Sequence, residues 1–158
     1  MEKKFKLTNE KIVVRNNVFY RIEALKDFAD VKKGDRGGFL ENEFNLSQFG
    51  DAWVYGDARV FGDAQVYGDA KVYGDARVFG DAQVFDNAQV FDNAQVYNNA
   101  WVYDNARVYG NAHVYNNAWV YGNAWVYDNA RVHGNAWVYG DARVYGDTRV
   151  FDDACVYI

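Results

Sequence analysis

From Gly50 to Tyr157 the chain repeats one six-residue unit eighteen times, and this period restricts the fold more than any other feature. The units run G-D-A-W-V-Y, G-D-A-R-V-F, G-D-A-Q-V-Y and onward to D-D-A-C-V-Y at 152–157. The fifth position is Val throughout, from Val54 to Val156, and the third is Ala except at Thr148. The sixth is Tyr or Phe except at His133, while the fourth varies among Trp, Arg, Gln, Lys, His and Cys.

Within a unit the run A-x-V-Y alternates, so Ala and Val share one strand face and the variable residue and aromatic share the other. Ala and Val must point inward. The opposite choice would bury Arg59, Lys71, Arg77 and Arg107 without partners, at prohibitive cost. The two intervening residues are G-D, D-N, N-N or G-N, types that tolerate positive φ and turn a chain sharply. A short strand followed by a two-residue corner, repeated, makes a solenoid. The absence of proline fits, because a fully laddered sheet leaves few places for a residue without an N–H.

The first 49 residues lack this period and predict a capping segment, with the repeat domain at 50–158. A solenoid end exposes strand edges and core, so some cap is physically required. Lys11 to Arg15, a type I′ turn at Asn16-Asn17, and Val18 to Leu25 read as a β-hairpin. The run G-D-R-G-G at 34–38 lacks phosphate-loop spacing and precedes a strand, so it reads as a turn in the cap.

Charge is divided between the two parts. Residues 1–49 carry a net +2 and residues 50–158 a net −7, which removes a generic basic footprint for nucleic acid. Cys155 is the single cysteine, so no internal disulfide can form. No signal peptide or membrane-length apolar run is present, and the expectation is a soluble cytoplasmic protein.

The stretch A-L-K-D-F-A-D-V-K-K-G-D-R-G-G-F-L, followed by N-L-S and G-D-A-W-V-Y, resembles bacterial and prophage hexapeptide-repeat proteins often labelled acyltransferases. The resemblance spans nearly the whole chain, and its D-F-x-D-V-K-x-G-x-x-G-G element is more specific than the hexapeptides. It implies an all-β, single-stranded, left-handed parallel β-helix of triangular coils, a trimer-like assembly and phage or prophage origin. Eighteen units at three per coil predict about six coils, a prism roughly 29 Å long at ~4.8 Å per coil.

Three-sided stacking sorts the outward residues into columns. Side one carries Trp53, Lys71, Gln89, Arg107, Trp125 and Arg143. Side two carries Arg59, Arg77, Gln95, His113, Arg131 and Arg149, and side three Gln65, Gln83, Trp101, Trp119, Trp137 and Cys155. Each corner column has Asp at its ends and Asn in its middle, for example Asp63, Asp81, Asn99, Asn117, Asn135 and Asp153. Carboxylates one coil apart repel by roughly 0.9 kcal/mol even in water. Asn removes that repulsion and permits amide ladders. Ligands spread singly in this way suit a solvated corner rather than a calcium site.

Two columns are candidate sites. Trp101, Trp119 and Trp137, flanked by Tyr103, Tyr121 and Tyr139, form an apolar patch suited to an oligomer or partner interface. Arg59, Arg77, His113, Arg131 and Arg149 form a candidate partner-binding basic face, though arginine paired with the flanking corner Asp is the plainer expectation. Hexapeptide acyltransferases use a histidine base at a subunit cleft, usually beside an extruded loop. Here His113 and His133 have no such loop, and two histidines cannot supply a three-histidine metal centre. The expected function is a non-enzymatic, homo-oligomeric scaffold without cofactor or metal. It binds itself and a host or phage macromolecule, possible host-defence components included. The alternatives are acyl transfer at a subunit interface with His113 as base, and a nucleic-acid mimic built on Asp ladders.

Overall fold

A computed structural model describes residues 2–158. Every repeat folds alike: the variable residue and Val form a short strand, the aromatic follows, and the two residues after it turn a corner. Residues pair with those eighteen positions on, as in Val54 with Val72 and Val60 with Val78, so three strands complete one coil. Stacked coils make three parallel sheets. Side one and side three are six-stranded, and side two is extended by the N-terminal segment into a nine-stranded sheet. The architecture is therefore an all-β solenoid with parallel strands, as the period predicts.

The inward assignment holds without exception through the body: Ala52 to Ala142 and Val54 to Val138 are fully buried at their repeat positions. The first corner residue of every repeat has φ between 55° and 72°. An L-residue pays for this conformation unless it is Gly, Asn or Asp, and those are the types found there. The corner composition is thus a backbone requirement.

The N-terminal segment forms β1 (Phe5–Val14), β2 (Asn17–Ala24) and β3 (Arg36–Leu40). β1 and β2 pair antiparallel, β2 pairs antiparallel with β3, and β3 lies parallel to Arg59–Val60. The hairpin is present, but its turn lies one residue earlier than the sequence suggests. Val14 pairs with Asn17, the loop is Arg15-Asn16, and only Arg15 takes a positive φ, 52°. A type I′ turn needs two such residues, so that assignment is corrected. Burial of Phe5, Ile22 and Ala24 in the core sets the register, because a one-residue slip would turn them outward, while Phe19 is covered on the other face by Phe61.

The parallel ladder begins before the first recognisable hexapeptide. Leu40 pairs with Val60 and Leu46 bridges to Val66, both leucines buried at the Val position of an incomplete coil. The stack therefore has about seven turns rather than six. Gly37 and Gly38 explain the glycine-rich run. A Cβ on Gly37 would stand 2.5 Å from the Val54 carbonyl oxygen, and one on Gly38 2.6 Å from that of Ala58. The pair lets β3 lie flat on the first coil.

The cap also completes the hydrogen bonding of that coil. In the body, carbonyls of corner, Ala and Val residues accept N–H groups of the preceding coil, as Gly68, Ala70 and Val72 accept from Asp51, Trp53 and Tyr55. The first coil has no full predecessor. Backbone N–H groups of Phe39, Glu41 and Ser47 serve Ala58, Val60 and Val66. At the three corners side chains take over: Lys4 Nζ donates to Gly50 and Ala52 oxygens, Arg21 to Gly56, and Asn45 Nδ2 to Gly62 and Ala64. Buried carbonyls left open would each cost about 1–3 kcal/mol. Trp53 closes the core beneath Phe5 and Phe28, edge to face.

Candidate functional site

Most outward rings stack on another ring one coil away. On side three the rings of Trp101, Trp119 and Trp137 lie parallel, with centroids 4.9 and 5.1 Å apart. Phe85, Tyr103, Tyr121 and Tyr139 form a second parallel stack beside them, at 4.8–5.0 Å. The two stacks meet edge to face, Tyr103 on Trp119 at 6.3 Å and 74° and Tyr121 on Trp137 at 6.4 Å and 73°. The result is a herringbone sheet whose ring faces are occupied by one another and whose ring edges form the surface. Trp101 and Trp119 are half-buried, and Trp137 is 40% exposed. The structure brings the six predicted side-three residues together as one continuous surface.

The same geometry treats other side chains according to type. Tyr67 and Tyr73 donate hydroxyl hydrogen bonds to Gln83 and Gln89, again to the variable residue of the next coil. On side one, Trp125 lies between the guanidinium groups of Arg107 and Arg143, at 5.2 and 3.9 Å from its ring. This tryptophan is capped by guanidinium groups, whereas the side-three tryptophans stack on one another. The column order Arg107, Trp125, Arg143 carries that signal in the sequence.

On side two Arg59, Arg77, His113, Arg131 and Arg149 occupy one column with Gln95, in strict lateral register. The expected pairing of these arginines with corner Asp is absent. Every ion pair among the described residues involves the cap, and none includes a side-two repeat arginine. The nearby carboxylates have other partners: Asp57 is met by Arg21 at 3.5 Å, and Asp128 accepts the Gly146 N–H. His113 is edge-on to Tyr97, its Nδ1 buried without a hydrogen-bond partner. Burial, with Arg131 second, pushes its pKa below the usual histidine value. His133 stacks within the aromatic ladder, between Tyr115 and Phe151. The two histidines are thus packing elements of side two rather than loose surface groups.

One feature of this face was invisible in the sequence. The cap hairpin borders side two and makes a groove of about 610 Å³, lined by Glu10, Ile12, Arg21, Phe39, Asp57, Arg59, Asp75, Arg77, Asn93 and Gln95. β2 continues the side-two column, since Arg21 pairs with Phe39 and Phe39 with Arg59. Only the pairing of β3 with the first coil places residues 10–21 there, and no periodicity reports it. Among the described residues no His, Cys, Asp and Glu side chains gather into a group of three that could hold a metal. Among the described residues no helix is long and apolar enough to cross a membrane.

Stacked parallel coils, Val and Ala inside and aromatic ladders outside define a β-solenoid repeat protein. The chain belongs to the YdcK beta solenoid repeat family, whose repeat matches residues 52–68, 70–86 and 88–104 and then overlapping segments through to 152, more than half of the chain. No curated protein matches it.

Proposed function

We propose that the protein is a non-enzymatic scaffold that self-associates through side three and presents side two to a partner. The observation that carries this reading is the herringbone of Trp101, Trp119 and Trp137 with Tyr103, Tyr121 and Tyr139. It is rigid before binding, so little side-chain entropy is lost on association. Its ridged edges repeat at about one coil, so a second copy can interdigitate with it. Aromatic anchors of this kind dominate interface energies. Arg59, Arg77, His113, Arg131 and Arg149 gain nothing from facing their own copy, because like charges would oppose one another. They are left for a partner of different charge. In the same reading the chain is of phage or prophage origin, acts in the host cytoplasm and binds or sequesters a host macromolecule, a defence component being one such target.

Acyl transfer with His113 as base is the weaker reading. The buried, unpartnered Nδ1 faces no carboxylate that would orient the ring as a base. Light scattering tests the proposal. The wild type should be a dimer or trimer, and Trp119→Arg should shift it to a smaller species with unchanged β-type circular dichroism. A monomeric wild type, or an oligomer unaltered by Trp119→Arg, overturns it.

A further inference from the structure

We infer that the groove between the cap hairpin and the first coils is a binding site for a phosphorylated sugar, with Arg59 and Arg77 as the phosphate clamp. The inference deepens the reading of side two as the partner-facing side and does not depend on self-association.

The groove lining holds three cations, Arg21, Arg59 and Arg77, and three anions, Glu10, Asp57 and Asp75. Arg21 is consumed: it donates to Glu10 at 2.6 Å and to the Gly37 and Gly56 carbonyls, and meets Asp57 at 3.5 Å. That closed set leaves Arg59, whose guanidinium lies over the Phe19 ring at 5.7 Å, and Arg77 against Asp75 alone, and among the described residues neither arginine has a carboxylate within ion-pair distance. Arg59 and Arg77 are direct lateral partners in the sheet. Like charges directly opposite each other destabilise a sheet, and a dianion between them turns that repulsion into attraction.

The geometry selects the anion. Two guanidinium forks one coil apart, about 4.8 Å at the backbone, offer paired donors from two directions. A phosphate monoester has three terminal oxygens and nearly two charges to meet both forks, whereas one carboxylate satisfies a single fork. The remaining polar lining, Asp75, Asn93 and Gln95, continues past the arginines. An acceptor-only carboxylate beside two amides suits hydroxyl groups and repels a second anion. This favours a monophosphate on a polyol over an extended polyanion.

What is missing from the groove is equally specific. The Phe39 ring is covered by the Arg21 guanidinium at 4.2 Å, and the side-two aromatics Phe61, Phe79 and Tyr97 lie face to face in their own ladder. No free ring face remains on which a nucleobase could stack. Recognition therefore ends at the sugar. The volume suits a ligand of that size.

Isothermal titration at low ionic strength, with ribose 5-phosphate, ribose, inorganic phosphate and adenosine 5′-monophosphate as separate probes, tests this. Ribose 5-phosphate should bind saturably and free ribose should not bind. Inorganic phosphate should be about tenfold weaker than the sugar phosphate, and adenosine monophosphate about equal to it. Arg59→Gln and Arg77→Gln should each weaken binding at least about tenfold. Arg131→Gln, on the same face but away from the groove, should leave it unchanged, and circular dichroism checks that each variant folds. Loss at Arg131 equal to loss at Arg77 would reduce the site to diffuse charge and overturn the inference. So would the absence of saturable binding at millimolar ribose 5-phosphate, or markedly tighter binding of adenosine monophosphate. Trp119→Arg should bind the sugar phosphate like wild type, so a failed oligomer and a failed groove give separate results.

Discussion

The repeat body and the cap reach the same end by opposite means. In the body, each coil is held by the coil beneath it through identical contacts, Val on Val, Ala carbonyl to N–H, ring on ring. In the cap every contact is made once. Lys4, Arg21 and Asn45 each close one corner of the first coil, and no second residue duplicates any of them. Redundant contacts make the body uniform, whereas single contacts make the cap a place where one substitution decides whether an end stays shut. The contrast can be broken from either side.

The largest effect is expected in the body. Val108 is fully buried between Val90 and Val126, with no polar group to receive a charge. Val108→Asp should cost at least about 4 kcal/mol and loosen both neighbouring coils, since an unpaired charge in an apolar core has no compensation. Chemical denaturation followed by circular dichroism measures it. An unchanged midpoint would mean that the core does not depend on continuity from coil to coil.

The next test strikes the cap. Asn45 is fully buried, accepts from the Asn42 N–H and donates to the Gly62 and Ala64 carbonyls. Asn45→Ala should cost about 2–3 kcal/mol, chiefly through carbonyls left without donors. The damage should stay local. Hydrogen exchange should quicken in the first coil and remain unaltered near Val120 and Val138, as expected when stability is a sum over neighbouring repeats. Uniform quickening along the rod would erase the distinction between cap and body.

How much of this was legible follows the same division. The period alone predicts inward Ala and Val, positive φ at the corners and stacked ladders, because each claim is repeated many times and local errors average out. The hairpin turn was misplaced by one residue, since Asn16-Asn17 looks like a turn locally while burial of Ile22 and Ala24 sets the register. The extra partial coil was missed because Leu40 and Leu46 keep the six-residue spacing but not the G-D-A-x-V-Y signature. The roles of Lys4 and Arg21, and the groove that Arg21 helps line, rest on contacts across more than thirty residues, which no local pattern encodes. The arginines of side two were placed in the right column, but their pairing was misjudged, because side-chain partners at a corner depend on which backbone N–H groups are already open.

A third test uses pH. Lys4 is fully buried, and burial, partly offset by Asp51, lowers its pKa from 10.5 to about 8. Between those values the unfolded chain holds a proton that the folded chain has released, so stability should rise as pH increases from about 8. The rise is at most about 3 kcal/mol. Above about 10 it should reverse. Burial raises the Tyr103 hydroxyl to about 12 and pushes Tyr55 up as well, so the folded chain keeps protons that the unfolded chain loses. Lys4→Met should abolish the rise and keep the fall. A wild-type profile flat between pH 8 and 10 would mean that the cap bears no buried charge.

The smallest effect concerns the corners, where the two ends of the rod differ again. Amide ladders run one way: Asn99 donates to Asn117, Asn117 to Asn135, and Asn135 to Asp153. Parallel chains run Asn105 to Asn123 to Asp141 and Asn111 to Asn129 to Asp147. A last rung only has to accept, so Asp is the fitting residue there. A first rung has to donate, and Asp cannot. At the cap end Asp63 and Asp81 stand one coil apart with no amide between them, and their repulsion is roughly 0.9 kcal/mol in water. Asp81→Asn removes the repulsion and supplies a donor toward Asn99, starting that ladder one coil earlier. The variant should gain up to about 1 kcal/mol at low salt, with most of the gain gone in 1 M salt as screening removes the repulsion it relieves. Asn117→Asp should do the reverse, losing its donation to Asn135. If Asp81→Asn is neutral at low salt while Asn117→Asp still destabilises, neither the Asp63–Asp81 repulsion nor an added donor matters at the cap end, and only the amide ladder already formed in the middle contributes.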